Sequence, residues 1–132
     1  MKKLLVTLML VAICSNAMAK WVEVISIPEE GITLYADPAT ISMSGKIAKM
    51  QELLDFKSGE NIPDNKLIYS LVSRMEYDCE NEQVRALNYV GFTENMGRGT
   101  RVEDDSAPGA EWKSIEIDGI SMKKMWEFAC GK

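Results

Sequence analysis

The chain has 132 residues, enough for one domain, and carries 15 basic and 20 acidic side chains, three cysteines and no histidine. Without histidine, Ser-His-Asp and Cys-His nucleophile systems and histidine-based zinc or haem sites are excluded. Acidic residues outnumber basic ones, and the sequence has no basic stripe interleaved with aromatic residues, so nucleic-acid binding is also excluded.

The first 19 residues have the three parts of a secretory signal peptide. Two lysines give a positive start, residues 4–13 form an apolar run, and Ala17, Met18 and Ala19 form a small-x-small cleavage site. An apolar run of ten residues is too short to cross a bilayer, which argues against a membrane-spanning helix. We therefore expect cleavage near Ala19 and Lys20, and an exported protein.

Cys14 lies inside this leader and follows the bulky Ile13, a neighbour that suits lipid attachment badly. We expect Cys14 to be lost with the leader and the mature chain to carry no lipid anchor. Removing residues 1–19 lowers the basic count from 15 to 13 and leaves the acidic count at 20, so the net charge becomes −7. Residues 20–132 are then expected to form one acidic domain in the periplasm, in the medium or at the cell surface.

β-Branched and apolar residues predict two strands at the start of the mature chain. The first covers residues 21–27 and ends at Pro28. The second covers residues 32–36 and is broken by Asp37 and Pro38, because proline restricts the backbone of the residue before it.

Residues 46–56 are ambiguous between strand and helix. As a strand they place four apolar side chains on one face, with Glu52 misplaced among them. These four are Ala48, Met50, Leu54 and Phe56. As a helix they present an apolar stripe, and their composition is rich in helix formers, so local propensity slightly favours a helix. Residues 57–65 are mostly polar, with one glycine and one proline, and predict a loop.

Residues 66–79 predict one long strand with two unlike faces, because apolar and polar side chains alternate along it. The apolar parity holds Leu67, Tyr69, Leu71, Met75 and Tyr77. The polar parity holds Ser70, Arg74, Glu76 and Asp78. Cys79 shares the parity of Tyr77, so its sulfur is expected to point into the core.

A short turn and a return strand at residues 83–92 complete a predicted hairpin. One parity of this strand holds Val84, Ala86, Val90 and Phe92. Leu87 and Tyr89 lie on the other parity, so both faces of the strand are expected to be covered. A glycine-rich bend at 97–99 then leads to a short strand at 100–103, a polar loop at 104–111 and a last short strand at 112–117.

The end of the chain, residues 121–130, predicts an α-helix with one apolar stripe. That stripe consists of Met122, Met125, Trp126, Ala129 and Cys130. Ser121 is expected to cap the start of the helix and Gly131 its end. Because Trp126 lies on the stripe, we expect it to be a core residue.

Two cysteines remain in the mature chain, Cys79 on the core face of a strand and Cys130 on the core face of the helix. Export places them in an oxidising compartment, and only one pairing exists. A redox role is disfavoured because the pair has no Cys-x-x-Cys spacing and no evident activating neighbour. We predict a structural disulfide that adds about 4 kcal/mol to the stability by closing a long loop.

Taken in order, these residues resemble the surface-adhesin protein E family of small exported bacterial proteins. The resemblance is carried by Trp21, Tyr35, Ala36, Asp37, Leu54, Asp55, Phe56, Ser70, Glu76, Tyr77, Asp78, Cys79, Arg85, Met96, Gly97, Gly99, Trp112, Trp126 and Cys130. It implies an α+β fold, with an antiparallel β-sheet of about six strands, a C-terminal α-helix packed on one face and a disulfide between them. It also favours a strand for residues 46–56. The activity that it implies is adhesion to host matrix or serum proteins.

No motif for a cofactor or a metal ion is present in the sequence. Gly97 and Gly99 are followed by Val102 rather than by a third glycine, so no dinucleotide fingerprint forms. Gly45 and Lys46 lack the serine or threonine of a phosphate-binding loop, and no calcium loop of spaced acids is found. We therefore predict a protein without cofactor, metal ion or catalytic activity.

The candidate binding surface consists of Trp112, Arg74, Glu76, Asp78 and Arg85. The two acids share a strand face and the two arginines are expected nearby, an arrangement that fits a small ion-pair site. The alternative, which the pattern favours, is a solvated strand face with cross-strand charge pairs. Trp112 fits a binding surface and a core position about equally, since aromatic residues are enriched in interfaces as well.

Three functions fit these features. The first is a non-catalytic binding domain that docks a host matrix or serum protein, or an envelope protein, through loops or an open sheet edge. The second is a structural or accessory protein that stays in the periplasm and has no host ligand. The third is a carboxylate-dependent hydrolase, which requires a concave pocket holding two close acids with raised pKa values.

Overall fold

The computed structural model describes residues 20–62, 65–106, 111–116 and 119–132, and the predicted signal peptide lies outside them. Within these residues the chain forms seven strands, one 3₁₀ turn (Asn95–Gly97) and one α-helix. In chain order they are β1 (Val22–Ile27), β2 (Ile32–Ser44), β3 (Ile47–Ile62), β4 (Lys66–Asp78), β5 (Gln83–Phe92), β6 (Arg101–Ser106), β7 (Lys113–Ser114) and α1 (Ile120–Cys130).

The strands form one antiparallel sheet in the order β1-β2-β3-β4-β5-β6, so each strand pairs with its neighbour in the chain. β6 pairs with one end of β5, from Asn88 to Phe92, and β7 pairs with the other end, at Gln83 and Val84. Helix α1 packs on one face of the sheet, against β1 to β4. The predicted α+β fold, with an antiparallel sheet of about six strands and a C-terminal helix, is confirmed.

Of the ambiguous residues 46–56, all but the first lie in a strand, as the family resemblance implied and against their local propensity. β3 is hydrogen-bonded to β2 on one side and to β4 on the other, and Ala48 and Met50 are buried in the core beneath α1. Helix propensity is a weak prior, and pairing with a strand on both sides together with this burial outweighs it.

β3 is longer than predicted, because it continues to Ile62. The ladder to β4 shifts register between Asp55 and Glu60, and Gly59 takes a left-handed φ of +78° there. A bulge of this kind lets a strand pass a glycine without ending. The loop predicted at 57–65 is therefore wrong as far as Ile62.

β2 also continues, through the predicted break at Asp37 and Pro38. Its ladder to β3 is interrupted between Asp37 and Ser42, so the proline does not have to donate a ladder hydrogen bond. Thr40 spans the interruption: its hydroxyl donates to the carbonyl oxygen of Asp37 at 2.7 Å and accepts from the backbone N–H of Gln51 at 2.9 Å. The prediction that this strand ends at residue 36 is wrong.

β5 contains a bulge that its residue pattern did not reveal. Ala86 pairs with Met75 and Asn88 pairs with Arg74, so Leu87 is an extra residue in this strand. The bulge reverses the alternation of faces beyond it. Of the four residues grouped on one face by alternation, the first two face α1 and the last two face away, so that grouping is wrong. The four are Val84, Ala86, Val90 and Phe92.

Helix α1 buries its predicted apolar stripe against the sheet. The stripe residues in the core or packed against it are Met122, Met125, Trp126, Ala129 and Cys130. The predicted cap at Ser121 is wrong, because the helix begins at Ile120 and the residue before it is Gly119, which has no side chain with which to cap it. Gly131 ends the helix in the left-handed conformation, as predicted.

Cys79, directly after β4, and Cys130, in the last turn of α1, form the predicted disulfide, with their Cα atoms 5.7 Å apart. The strand predicted at 66–79 is confirmed as β4. The strand predicted at 100–103 is β6, which extends to Ser106 into the predicted polar loop. The strand predicted at 112–117 is only the two-residue β7, and residue 117 lies outside the described part of the chain.

Candidate functional site

The sheet face away from α1, the outer face, is covered at one end by the segment between β5 and β6. Ser70 donates its hydroxyl to the carbonyl oxygen of Glu94 at 2.6 Å and accepts from the backbone N–H of Gly97 at 2.8 Å. Ser70, which was predicted on the polar face of its strand, is therefore fully buried. Two hydrogen bonds compensate the burial of its hydroxyl.

Asp55 fixes the same segment from β3. Its Oδ1 accepts from the backbone N–H of Met96 at 2.8 Å, and both carboxylate oxygens lie 3.2 Å from Nδ2 of Asn95. Gly97 has a left-handed φ of +72° and lies directly over Leu53, which is fully buried on this face. The 3₁₀ turn thus closes one end of the outer face.

The other end of the outer face presents two rows of polar side chains, each of which crosses β3, β4 and β5. We call these rows and the adjoining tryptophan the outer strip. Its members are Lys49, Glu76 and Arg85 in one row, Gln51, Arg74 and Asn88 in the next, and Trp112. The strand register therefore brings four of the five predicted binding residues onto one surface.

Arg85 is held from two sides. Its Nη2 donates to Oε2 of Glu76 at 3.2 Å, and its guanidinium carbon lies 4.4 Å from the centroid of the Trp112 ring. Stacking on an aromatic face suits the planar guanidinium group, and the carboxylate fixes its remaining orientation. Trp112 itself is half-buried, so it is a support for Arg85 as well as part of the surface.

The outer strip is locally cationic although the chain is acidic. Lys49, Arg74 and Arg85 carry positive charges, Glu76 carries a negative charge, and Arg74 is exposed to solvent. The chain as a whole has a formal charge of −5. A cationic patch of this kind is electrostatically complementary to an acidic surface.

Asp78, the fifth predicted residue, has a different role. Its Oδ1 accepts from the backbone N–H groups of Glu80 at 3.0 Å and Asn81 at 2.9 Å, and its Oδ2 accepts from Nδ2 of Asn81 at 2.9 Å. The hydrogen bonds from Asn81 are the main reason why the pKa of Asp78 lies below its ordinary value. The carboxylate of Asp78 thus closes the turn between β4 and β5.

Trp126 is a core residue, as predicted, and its Nε1 donates to the backbone carbonyl oxygen of Asp78 at 2.9 Å.

Sequence reasoning did not single out Lys49, because its segment was ambiguous between strand and helix. Once β3 is a strand, Lys49 has the parity opposite to the buried Ala48 and Met50, and its register places it beside Glu76. The residue pattern of 46–56 alone, interpreted as a strand, would therefore have identified it.

The opposite sheet face contains a pocket of about 460 Å³ between the first half of α1 and the strands. Glu52 lines it, only 4% exposed, and burial raises the pKa of this carboxyl to about 8. Its Oε1 meets no hydrogen-bond donor among the described residues. The misplaced acid of the β3 pattern was the signal for this feature.

Glu30, the other acid that lines this pocket, is exposed. The hydrolase hypothesis required two close acids with raised pKa values in one pocket, whereas only one of the two acids that line this pocket is buried. In the described ranges, no group of three or more Cys, Asp or Glu residues is placed to hold a metal ion. No helix in this part of the chain has the length and apolar character needed to cross a bilayer.

Comparison with known proteins places this chain in a family. The model of the surface-adhesin protein E family matches residues 21–131, which is nearly all of the described chain. A search of curated proteins found no match.

Solved structures share the fold. A crystal structure of protein E from non-typeable Haemophilus influenzae has a TM-score of 0.59 and 14% identity, over 83% of this chain and 75% of that one. A second crystal form of Haemophilus influenzae protein E has a TM-score of 0.61 and 12% identity, over 88% of this chain and 91% of that one. At identities this low, the structural matches establish the shared fold, whereas the match to the family model establishes membership of the family. The chain belongs to the surface-adhesin protein E family.

Proposed function

We propose that this protein is an exported, non-catalytic adhesin-like protein that docks an acidic surface of a protein partner through the outer strip. The observation that carries the proposal is a cationic surface on a chain of net negative charge, formed by the exposed Arg74 and by the half-buried Arg85, which stacks on Trp112. The family description, a surface adhesin, supports binding to a host matrix or serum protein.

The chemistry of the strip suits a protein interface. Arginine and tryptophan are the residues most enriched among those that dominate binding energies. Arg85 is already oriented by Glu76 and Trp112, so it has less conformational entropy to lose when a partner carboxylate binds. Arg74 in the next row is exposed and adds a second guanidinium group to the same surface.

The test is a binding assay with purified residues 20–132 against immobilised host matrix and serum proteins and, separately, cell-envelope extracts. Arg74→Glu should lower the affinity for the bound partner by about tenfold or more, chiefly through slower association, since charges at an interface steer encounter. Lys123→Glu makes the same charge change on an exposed position of α1 and is the matched control. It should change the affinity by less than about twofold.

Two results would contradict the proposal. One is the absence of saturable binding to any protein in either pool. The other is an equal effect of Arg74→Glu and Lys123→Glu, which would mean that net charge rather than the outer strip governs binding. Saturable binding to an envelope protein alone, together with recovery of the protein in the periplasmic fraction, would instead support the periplasmic accessory role.

A further inference from the structure

We propose that the pocket under the first half of α1 binds a small organic ammonium ion, whose apolar body lies on the sheet and whose charged head pairs with Glu52. This small-molecule site is on the opposite face of the sheet from the outer strip and is independent of the protein partner proposed above.

The floor of the pocket is a row of leucines that the helix does not cover. Leu34, Leu54 and Leu71 are register neighbours across β2, β3 and β4, and all three line the pocket. Each remains half-buried, although it faces the same side of the sheet as the core. Met122 and Met125 of α1 line the pocket from the helix side. Methionine side chains are unbranched and adapt to the shape of an apolar ligand.

Glu52 lies in the adjacent row, paired with Ala36 on one side and Ser73 on the other. A buried carboxyl group with an oxygen that meets no donor is costly, and native structures rarely keep one without a reason. Because burial raises the pKa of Glu52 to about 8, this carboxyl is mostly protonated at neutral pH. A ligand that supplies a charged N–H donor would satisfy the free oxygen and stabilise the carboxylate form.

The lining of the pocket favours a cation, because its ionisable groups can carry only negative charge. Its titratable lining groups are Glu30 from the turn after β1, Glu52 from β3 and Tyr89 from β5, and the helix residues that line it carry no charge. Within the described part of the chain, no lysine or arginine lines the pocket. An anionic head group would therefore meet carboxyl groups without a counter-charge, whereas an ammonium group is matched by Glu52.

The volume fits a small molecule with an apolar body. About 460 Å³ falls in the range of ordinary ligand pockets, which are mainly apolar with a few polar groups that fix the orientation of the ligand.

Binding of the ammonium ion at pH 7 is coupled to the release of a proton from the protein. The ammonium ion keeps its protons, Glu52 loses the proton of its carboxyl group to the buffer, and a carboxylate–ammonium pair forms.

The experiment uses isothermal titration calorimetry of purified residues 20–132 with three probes of equal chain length, n-octylammonium chloride, 1-octanol and sodium octanoate. We expect octylammonium to bind at least about tenfold more tightly than octanol, and octanoate to bind more weakly than both. Titrations at pH 7 in two buffers with different ionisation enthalpies should show release of most of one proton per octylammonium bound.

Three variants separate the role of Glu52 from general effects. Glu52→Gln keeps the shape of the side chain and should remove both the preference for octylammonium over octanol and the proton release. Glu29→Gln, at an exposed residue that does not line the pocket, should leave the preference and the proton release in place. Leu71→Trp should fill the pocket and abolish binding of all three probes, with circular dichroism confirming that the variant is folded.

Three outcomes would overturn the proposal. They are equal affinities for octylammonium and octanol, a preference that survives Glu52→Gln, and octylammonium binding that a folded Leu71→Trp variant retains. The last outcome would place the bound ammonium elsewhere on this acidic chain.

Discussion

Replacing Glu52 with glutamine tests the buried carboxyl through the stability of the protein. In the folded state the pKa of Glu52 is raised to about 8, whereas its ordinary value is 4.5. Between these two pH values the native protein holds a proton that the unfolded chain has lost. The free energy of unfolding therefore falls as the pH rises from about 4.5 to about 8, and it levels off above that range.

The magnitude follows from the same two values. A rise in pKa from 4.5 to about 8 corresponds to about 5 kcal/mol at 1.36 kcal/mol per pKa unit. The pocket beside Glu52 opens to solvent, and water that enters it will solvate the carboxylate and reduce the loss. We therefore expect wild type to lose at least about 2 kcal/mol at pH 9 relative to pH 4, measured against the Glu52→Gln variant.

The assay is urea unfolding of wild type, Glu52→Gln and Glu30→Gln at pH 4, 6, 8 and 9. Differences between wild type and Glu52→Gln remove the contribution of the other carboxylates, which these two proteins share. Glutamine stays neutral, so Glu52→Gln should be more stable than wild type at pH 9 and similar to it at pH 4. Parallel pH profiles for wild type and Glu52→Gln, within about 0.5 kcal/mol, would refute the inference that Glu52 is buried as a neutral acid.

Three further perturbations test the packing. Cys130→Ser should lower the free energy of unfolding by about 2–4 kcal/mol in denaturant unfolding, and an unchanged midpoint would contradict the structural role of the disulfide. Met125→Ala should lower the free energy of unfolding by about 2–5 kcal/mol, since Met125 is 1% exposed. Leu67→Ala, at a residue that is 44% exposed, should lower it by less than about 1 kcal/mol, and equal losses would contradict the assignment of Met125 to the core. Asp55→Ala should lower the free energy of unfolding by about 1–3 kcal/mol and speed amide hydrogen exchange at Met96, because it removes the acceptor of the Met96 N–H. An unchanged exchange rate would argue against this hydrogen bond.

The fold was largely predictable because its main signals are local. The alternation along β4 and the apolar stripe of α1 each fix an element and its buried side, and the single pairing of Cys79 with Cys130 then joins them. What residue patterns do not encode is the position of bulges. The extra residue Leu87 in β5 and the interruption after Asp37 in β2 depend on pairing with neighbouring strands. Alternation alone therefore misassigned the faces of β5, and the effect expected of Pro38 ended β2 too early.

The outer strip was only partly predictable for a related reason. Arg74, Glu76 and Arg85 were identified by parity within one hairpin, and register brought Trp112 beside them. Lys49 belongs to a third strand, and its position depended on resolving the ambiguity of residues 46–56. The burial of Ser70 was not predictable from its own strand, because the cover comes from a segment more than 20 residues later in the chain.

The two ends of α1 are fastened differently, and this has a mechanical consequence. The last turn is bonded covalently to the end of β4 through Cys130, and Trp126 adds a hydrogen bond to Asp78 nearby. The first turn follows Gly119, which offers no side chain to cap it, and it borders the leucine-floored cavity. Thermal fluctuations should therefore displace the first turn of the helix more than its last turn. This motion should widen the entrance to the pocket, while the core beside the disulfide stays closed.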